Sequence, residues 1–421
     1  MFAQHNIKTL LTRANIAFFL CCAIACIVCW HKQWSSIPIT ILIVAFLLDI
    51  ALIDKLKNAL GNKLIWPSLA LFAMYAIGLL YTNSLSLGGA TLERKLSFII
   101  FPIVFAGGLA PRGKRVQYIM DAFCISCALA ILFCLGNALY AYNYVSSATT
   151  VWFFYEDLAR PLMHPGYLSN FYLIAIAWLG NSFLGSTNLQ SSFNKKWQIV
   201  LIVLFVLFIA LLTSKTAFLA LCATAVIASV HALQTLTDTK TKLRIIVACV
   251  AAVAIVVVLV RIFRWQRFNA IGELKDLASN ATFANSAGSR ANAWLACLEL
   301  IKQKPLFGYG TGMANDVLLE ALKQKQLHNL VINRMHTHNQ LLHTALDIGL
   351  IGLSLLGLWF WQAWRFFARH KIFFGKAMVA IAFINCCTDD MLDIQAGVVP
   401  FVFFVSLFLF GGIQLLENKE K

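Results

Sequence analysis

Apolar residues gather along this chain into long runs parted by short polar stretches. The runs lie near 15–31, 36–53, 64–82, 96–109, 117–143, 166–184, 197–213, 215–233, 243–262, 339–364, 374–388 and 397–416. About 20 residues in helical form cross the roughly 30 Å hydrocarbon layer of a bilayer. The pattern therefore predicts an all-α polytopic membrane protein with about twelve transmembrane helices. Pro102 interrupts the fourth run, and only Thr213-Ser214-Lys215 parts the seventh from the eighth, a tight turn or one bent unit. No small-residue cleavage site follows the first run, so it reads as a retained helix and not a removed signal.

One connection is long. Residues 263–337 form a polar segment between the ninth and tenth runs, dividing the chain into helices one to nine (1–262), this loop, and helices ten to twelve (338–421). Within the loop Ser289 is placed to cap a helix with Trp294, Leu298 and Ile301 at helical spacing, ending at Pro305. Gly308, Gly310 and Gly312 read as a flexible turn, and a second helix is expected over 315–326, with Val317, Leu318 and Leu322 on one side. Two amphipathic helices beside a membrane predict a lid over one face.

Composition agrees with the pattern and adds a direction. The 421 residues are 60% hydrophobic and 12% charged, with mean hydropathy +0.76, whereas a soluble chain carries about 25% charged residues. Net charge is +16, which suits anionic headgroups or an anionic substrate; nucleic acid is excluded as a partner by the membrane character. Short-loop cations fix the expected orientation. Lys8, Arg13, Lys55, Lys57, Lys63, Arg112, Lys114, Arg115, Lys195, Lys196, Lys240, Lys242, Arg244, Arg365, Arg369, Lys371, Lys376, Lys419 and Lys421 fall on one side, against Lys32, Arg94, Lys95, Arg160 and Lys215 on the other. Both termini are thus expected in the cytoplasm and the 263–337 loop outside. Eleven of the twelve cysteines lie in apolar runs, where cysteine is a small hydrophobe; Cys297 lies in the loop.

Charge near hydrocarbon is expensive and marks function. On the outer side stand Arg160, His164, Lys215, Arg290, His336, His338, His343 and the trio Asp389, Asp390 and Asp393, with Arg94 and Lys95 read as headgroup anchors. Several cations around one imidazole suit a multiply charged anion, since Arg and Lys give charge-assisted hydrogen bonds to phosphate oxygens. His338 is expected in the first turn of helix ten. Asp389-Asp390-Met391-Leu392-Asp393 spells DDxxD, yet no second acidic motif accompanies it. Asp389 reads instead as a cap, a hinge or a hydrogen-bond partner of His338, and no metal site is expected. Ala345, Gly349 and Gly352 read as a surface for close helix packing.

These residues carry a resemblance. His338-Asn339, followed by Leu346-Asp347-Ile348-Gly349-Leu350-Ile351-Gly352, resembles the signature of the O-antigen ligase and polymerase superfamily. Ser289-Arg290, Trp294 and Pro305-Leu306-Phe307-Gly308-Tyr309-Gly310-Thr311-Gly312 resemble its loop arginine and the turn that follows. The likeness covers about residues 200–410; the first half matches only in its pattern of spans. It implies a GT-C-type, metal-independent, inverting glycosyltransferase of a bacterial inner membrane, needing no cofactor. Such an enzyme moves a glycan from an undecaprenyl diphosphate carrier to an acceptor hydroxyl at the periplasmic face, which in the ligases belongs to lipid A–core.

By the same resemblance His338 is the catalytic histidine, paired with Asn339, and Arg290 contacts the diphosphate. Lys215 stands where many members carry arginine, keeping the charge but losing the bidentate fork. Arg160 and His164 resemble further outer-loop basic residues. An O-antigen polymerase or a protein O-oligosaccharyltransferase would share this chemistry. A secondary transporter is the rival of another class, but transporters place charges near the midplane and show paired repeats, neither of which the sequence displays.

Overall fold

In the computed structural model the chain is described over residues 12–30, 34–145, 150–184, 190–264 and 286–412. Lys8, Lys32, Lys419 and Lys421 of the charge count, and residues 265–285 of the long loop, lie outside the described residues. Among the described residues there is no strand. Every apolar run carries a helix, and five helices are long and apolar enough to cross a membrane: Lys114–Tyr144, Lys195–Leu212, Lys215–Thr235, Thr239–Leu259 within Thr239–Arg264, and Gln340–Arg369. Ser36–Leu47 and Leu52–Gly61 would count as a sixth span if joined, but they meet at 107°.

Local chemistry explains the breaks. At the expected tight turn Thr213 adopts φ 44° and the Ser214 hydroxyl accepts from Ala217 N, so Lys195–Leu212 and Lys215–Thr235 are two helices. Past Pro102, Ser97–Val104 runs into a π-helical turn, Phe105–Leu109.

The core is centred on Gln395–Gly411, buried at every position from Ala396 onward. A helix enclosed on all sides has no polar face to offer, which accounts for its run of Val, Phe and Leu, interrupted only by Pro400 and Ser406. Aromatic edges lock it to its neighbours: Phe403 against Phe101 with centroids 5.2 Å apart, Phe404 against Phe123 at 5.0 Å, and Phe408 against Phe374 at 4.5 Å. Such pairs contribute about 0.5–1.5 kcal/mol each beyond burial. Around it, Lys215–Thr235 packs on Phe373–Thr388, Pro165–Asn181 on Lys195–Leu212, and Trp66–Gly78 on Gln340–Arg369. Thr239–Arg264 stays at the periphery, its apolar side chains mostly exposed.

The long loop forms a helical cap with its own small core. Ala293, Cys297 and Leu300 of Ser286–Gln303 meet Leu318 and Leu322 of Ala314–Gln324, with Leu330 and, from the bundle, Leu346. Two expectations are corrected. The first helix already runs at Ser286, so Ser289 lies inside it and is no cap. The buried stripe is Ala293, Ala296, Cys297 and Leu300 while Leu298 faces outward, because the small residues allow the second helix to approach.

The glycine turn is held on the bundle by hydrogen bonds. It docks into a break in Gln340–Arg369, where Ile348 and Gly349 leave helical geometry. Tyr309 N donates to Leu346 O at 2.7 Å, Gly310 N to Asp347 O at 2.9 Å, and Leu350 N to Pro305 O at 2.8 Å. These bonds satisfy backbone groups that the break frees. Gly349 has φ 70°, and a Cβ there would lie 2.0 Å from the Leu306 carbonyl oxygen. The sequence reading of Gly349 as a helix-packing position is thus replaced: it admits the turn, and only glycine fits.

Candidate functional site

His338 sits one residue before the N-cap of Gln340–Arg369, not in its first turn. Asn339 is the cap: its side-chain oxygen accepts from Leu341 N at 3.0 Å and Leu342 N at 3.2 Å, and its amide donates to Cys387 O at 3.2 Å. His338 has φ 42°, a left-handed conformation that a non-glycine residue adopts only when its surroundings impose it. Those surroundings are visible on both sides. Trp294 Nε1 donates to Thr337 O at 2.9 Å, and Gln340 N donates to Asp389 O at 3.1 Å.

The result is a direct pair. His338 Nδ1 and Asp389 Oδ1 are 3.3 Å apart, with side chains 29% and 27% exposed. Asp389 Oδ1 also accepts from Asp390 N at 3.0 Å, and Oδ2 accepts from Tyr167 OH at 3.0 Å. Burial opposes ionisation of Asp389, but the hydrogen bonds from His338 and Tyr167 outweigh it and hold the carboxyl well below the usual range. A carboxylate on Nδ1 fixes the ring tautomer and leaves Nε2 as the nitrogen for a substrate proton.

Other sequence-selected residues converge on this pair to differing degrees. Arg290 precedes Trp294 by one helical turn, which puts both on the face tied to Thr337. His164 N-caps Pro165–Asn181, accepting from Gly166 N at 3.3 Å. Burial lowers its pKa, and its ring feels the charges of Asp389, Glu156, His338 and Arg290. His336 stacks edge-on to His338 with centroids 5.7 Å apart, and burial lowers its pKa too. Lys215 opens its helix beside Thr216, whose hydroxyl donates to Thr388 Oγ1 at 3.0 Å, next to Asp389. Arg160 is set apart: its guanidinium pairs with Asp157 at 3.0 Å and is 70% exposed.

Beneath this rim lies a buried ionic cage. His343 Nε2 is 3.5 Å from Asp393 Oδ2 and 3.7 Å from Asp347 Oδ2, while its Nδ1 is 3.9 Å from Asp390 Oδ2 and 3.3 Å from Thr337 Oγ1. Gln340 Nε2 donates to Asp393 Oδ2 at 2.6 Å, and Asp347 Oδ1 accepts from Ala314 N at 2.8 Å. Lys95, expected to anchor in headgroups, is instead 1% exposed, with Nζ 2.7 Å from Asp393 Oδ1. The sequence reading missed Gln340, Tyr167 and this role of Lys95. Their one signal was a cation and a glutamine bordering apolar runs.

Two groups bring potential ligand atoms within 4.8 Å of one another, His338–Asp389–Asp390 and His343–Asp347–Asp393. Neither donor set suits a cation well. Both Asp389 oxygens already accept hydrogen bonds, and the Lys95 ammonium on Asp393 would repel a metal ion.

Set against known proteins, no curated protein matches the chain. Residues 200–357, which include Lys215, Arg290, His338 and Asn339 but stop short of Asp389, match the family model described as O-antigen ligase (Wzy_C). That match falls on the same stretch that carries the two motifs, so over this part the chain is similar to the O-antigen ligase family.

Proposed function

We propose that this protein is an O-antigen ligase: an inverting glycosyltransferase that moves a glycan from undecaprenyl diphosphate to a hydroxyl of lipid A–core at the periplasmic face of the inner membrane. In this reading the twelve apolar runs all span or enter the bilayer as a GT-C-type bundle. Both termini are cytoplasmic, and the 263–337 cap covers the outer face. The observation that carries it is the His338–Asp389 pair, a partly exposed imidazole oriented through Nδ1.

The acceptor hydroxyl gives its proton to His338 Nε2 as its oxygen attacks the anomeric carbon. The bond from that carbon to the diphosphate oxygen breaks on the opposite face, and undecaprenyl diphosphate leaves as the anion. Arg290 and Lys215 stabilise the charge that develops on it, with Arg160 and His164 at the edge of the site; such preorganised cations act most strongly where water is scarce. A general base of this kind contributes about 10²- to 10⁴-fold. No metal takes part.

The test uses full-length protein in lipid vesicles with an undecaprenyl-diphosphate-linked glycan and lipid A–core. Wild type should transfer the glycan and His338→Ala should lose about 10²- to 10⁴-fold in kcat. Equal transfer by His338→Ala would refute the base assignment. Elongation of glycan on the carrier without transfer to lipid A–core, or transfer to a protein, would refute the ligase reading.

A further inference from the structure

Lys95 is the least accessible cation described, and nothing in closing the bundle requires one there. Burying an ammonium costs several kcal/mol unless it is well paired, and an apolar side chain would fill the same space. Its contacts say what it holds. Nζ lies 2.7 Å from Asp393 Oδ1, donates to Leu392 O at 2.8 Å, and sits 4.9 Å from the centre of the Tyr75 ring. Both partners belong to the turn Asp389–Asp393.

Gln340 is a second anchor of that turn. Gln340 Oε1 accepts from Leu392 N at 2.7 Å, its Nε2 donates to Asp393 Oδ2, and its backbone N donates to Asp389 O. Gln340 thus fixes the turn from the His338 side, and Lys95 fixes it from the opposite side, from a helix in the first half of the chain, Leu85–Lys95. Tolerance at the far end is small. The His338–Asp389 contact is 3.3 Å, and a hydrogen bond fades beyond about 3.5 Å, so a displacement of the turn by a few tenths of an ångström uncouples the pair. Just ahead of that helix the chain touches the glycine turn, where Thr82 Oγ1 donates to Thr311 O at 3.0 Å.

We infer that Lys95 is a positioning residue for glycan transfer: its bonds to Asp393 and the Leu392 carbonyl hold the turn that presents Asp389 to His338. The kinetic part rests on the transferase reading above; the geometric part does not. From Gln340–Arg369, His343 reaches Asp393 at 3.5 Å and also contacts Asp347 and, on the turn itself, Asp390, but among the described residues none of these bonds the Leu392 carbonyl.

Lys95→Met, Lys95→Arg and the double variant Lys95→Met/Asp393→Leu separate positioning from mere stability. Full-length proteins are compared in vesicles with the lipid-linked donor, beside wild type and His338→Ala. Lys95→Met should lose about 10- to 100-fold in kcat, with KM for the donor within about threefold, and Lys95→Arg should stay near wild type. The double variant leaves no buried charge without a partner, so it should regain thermal stability and not kcat. Recovery of kcat along with stability, or unchanged kcat in Lys95→Met, overturns the inference; a rise in KM alone makes Lys95 a donor-binding group and overturns it too. A second readout needs no activity. In ¹⁵N-histidine-labelled protein the downfield His338 Nδ1 proton should move upfield in the double variant and persist in Lys95→Arg, and a resonance unmoved in the double variant sinks the geometric claim. Absence of transfer by wild type defeats the proposed function and leaves this spectrum to decide the placement.

Discussion

The turn Asp389–Asp393 serves two environments that differ in how their charge is used. At the rim, Asp389 meets an imidazole with a strained backbone and a tyrosine hydroxyl, and more than a quarter of each side chain of the pair is open to solvent. Four residues on, Asp393 is buried against Lys95, Gln340 and His343. The cage has more charge and better pairing, yet that charge is committed to holding the structure. The rim has fewer partners, and for that reason retains a ring nitrogen for a substrate. Proximity of acid and imidazole occurs in both; only accessibility separates chemistry from scaffolding.

The comparison breaks most visibly at Asp393. Asp393→Ala leaves the Lys95 ammonium buried without its carboxylate, and losing one partner of a buried pair costs about 3–5 kcal/mol. Thermal unfolding of detergent-solubilised protein should show that loss. Asp389→Asn, which keeps shape and removes charge at an accessible position, should leave the unfolding temperature far closer to wild type while transfer falls steeply. Equal destabilisation by both would mean that rim and cage are one structural unit.

How far this division could be read beforehand depended on sequence distance. Apolar runs 14 to 27 residues long need only their own composition to declare a helix, so a helix in each run was legible, as was a hydrogen bond between His338 and Asp389. Lys95 was not. A lysine at the end of an apolar-flanked loop looks like any headgroup anchor, and its burial follows from a carbonyl nearly three hundred positions away. Gly349 misled for a related reason: spacing with Ala345 and Gly352 signals small residues but cannot tell a packing groove from a helix break entered by another backbone. The left-handed φ of His338 is likewise imposed by Trp294 and Gln340 through tertiary bonds, which local propensity does not encode.

Between rim and cage stands Asp390, and it offers a finer test. Burial pushes its carboxyl from 3.8 to about 6, with Asp389 adding to the rise against the pull of His343. A pKa raised in the folded state means that the favourable protonated form is fully present below 3.8 and lost as pH rises through about 6. Wild type therefore carries an ionisation penalty at pH 8 of roughly 2–3 kcal/mol. Asp390→Asn removes the titration, so its unfolding temperature should exceed wild type at pH 8 and the gap should close as pH falls toward 4. A gap independent of pH would show that Asp390 is not held as a buried acid.

The smallest effect is expected at the most solvated of the three proposed diphosphate cations. Arg160 was grouped with Arg290 and Lys215 as a diphosphate contact, but in the structure its guanidinium pairs with Asp157 three residues back and is largely solvated. Exposed pairs of this kind contribute about 0–1 kcal/mol, and an exposed charge is screened by salt. If Arg160 acts on the donor, it must leave Asp157 and do so through long-range attraction. Arg160→Ala should then lower kcat/KM by no more than about fivefold, mainly through KM, and the difference should vanish at high ionic strength. A loss of kcat as large as that of His338→Ala, persisting in salt, would instead put Arg160 in direct contact with the leaving diphosphate and move the boundary of the rim outward to include it.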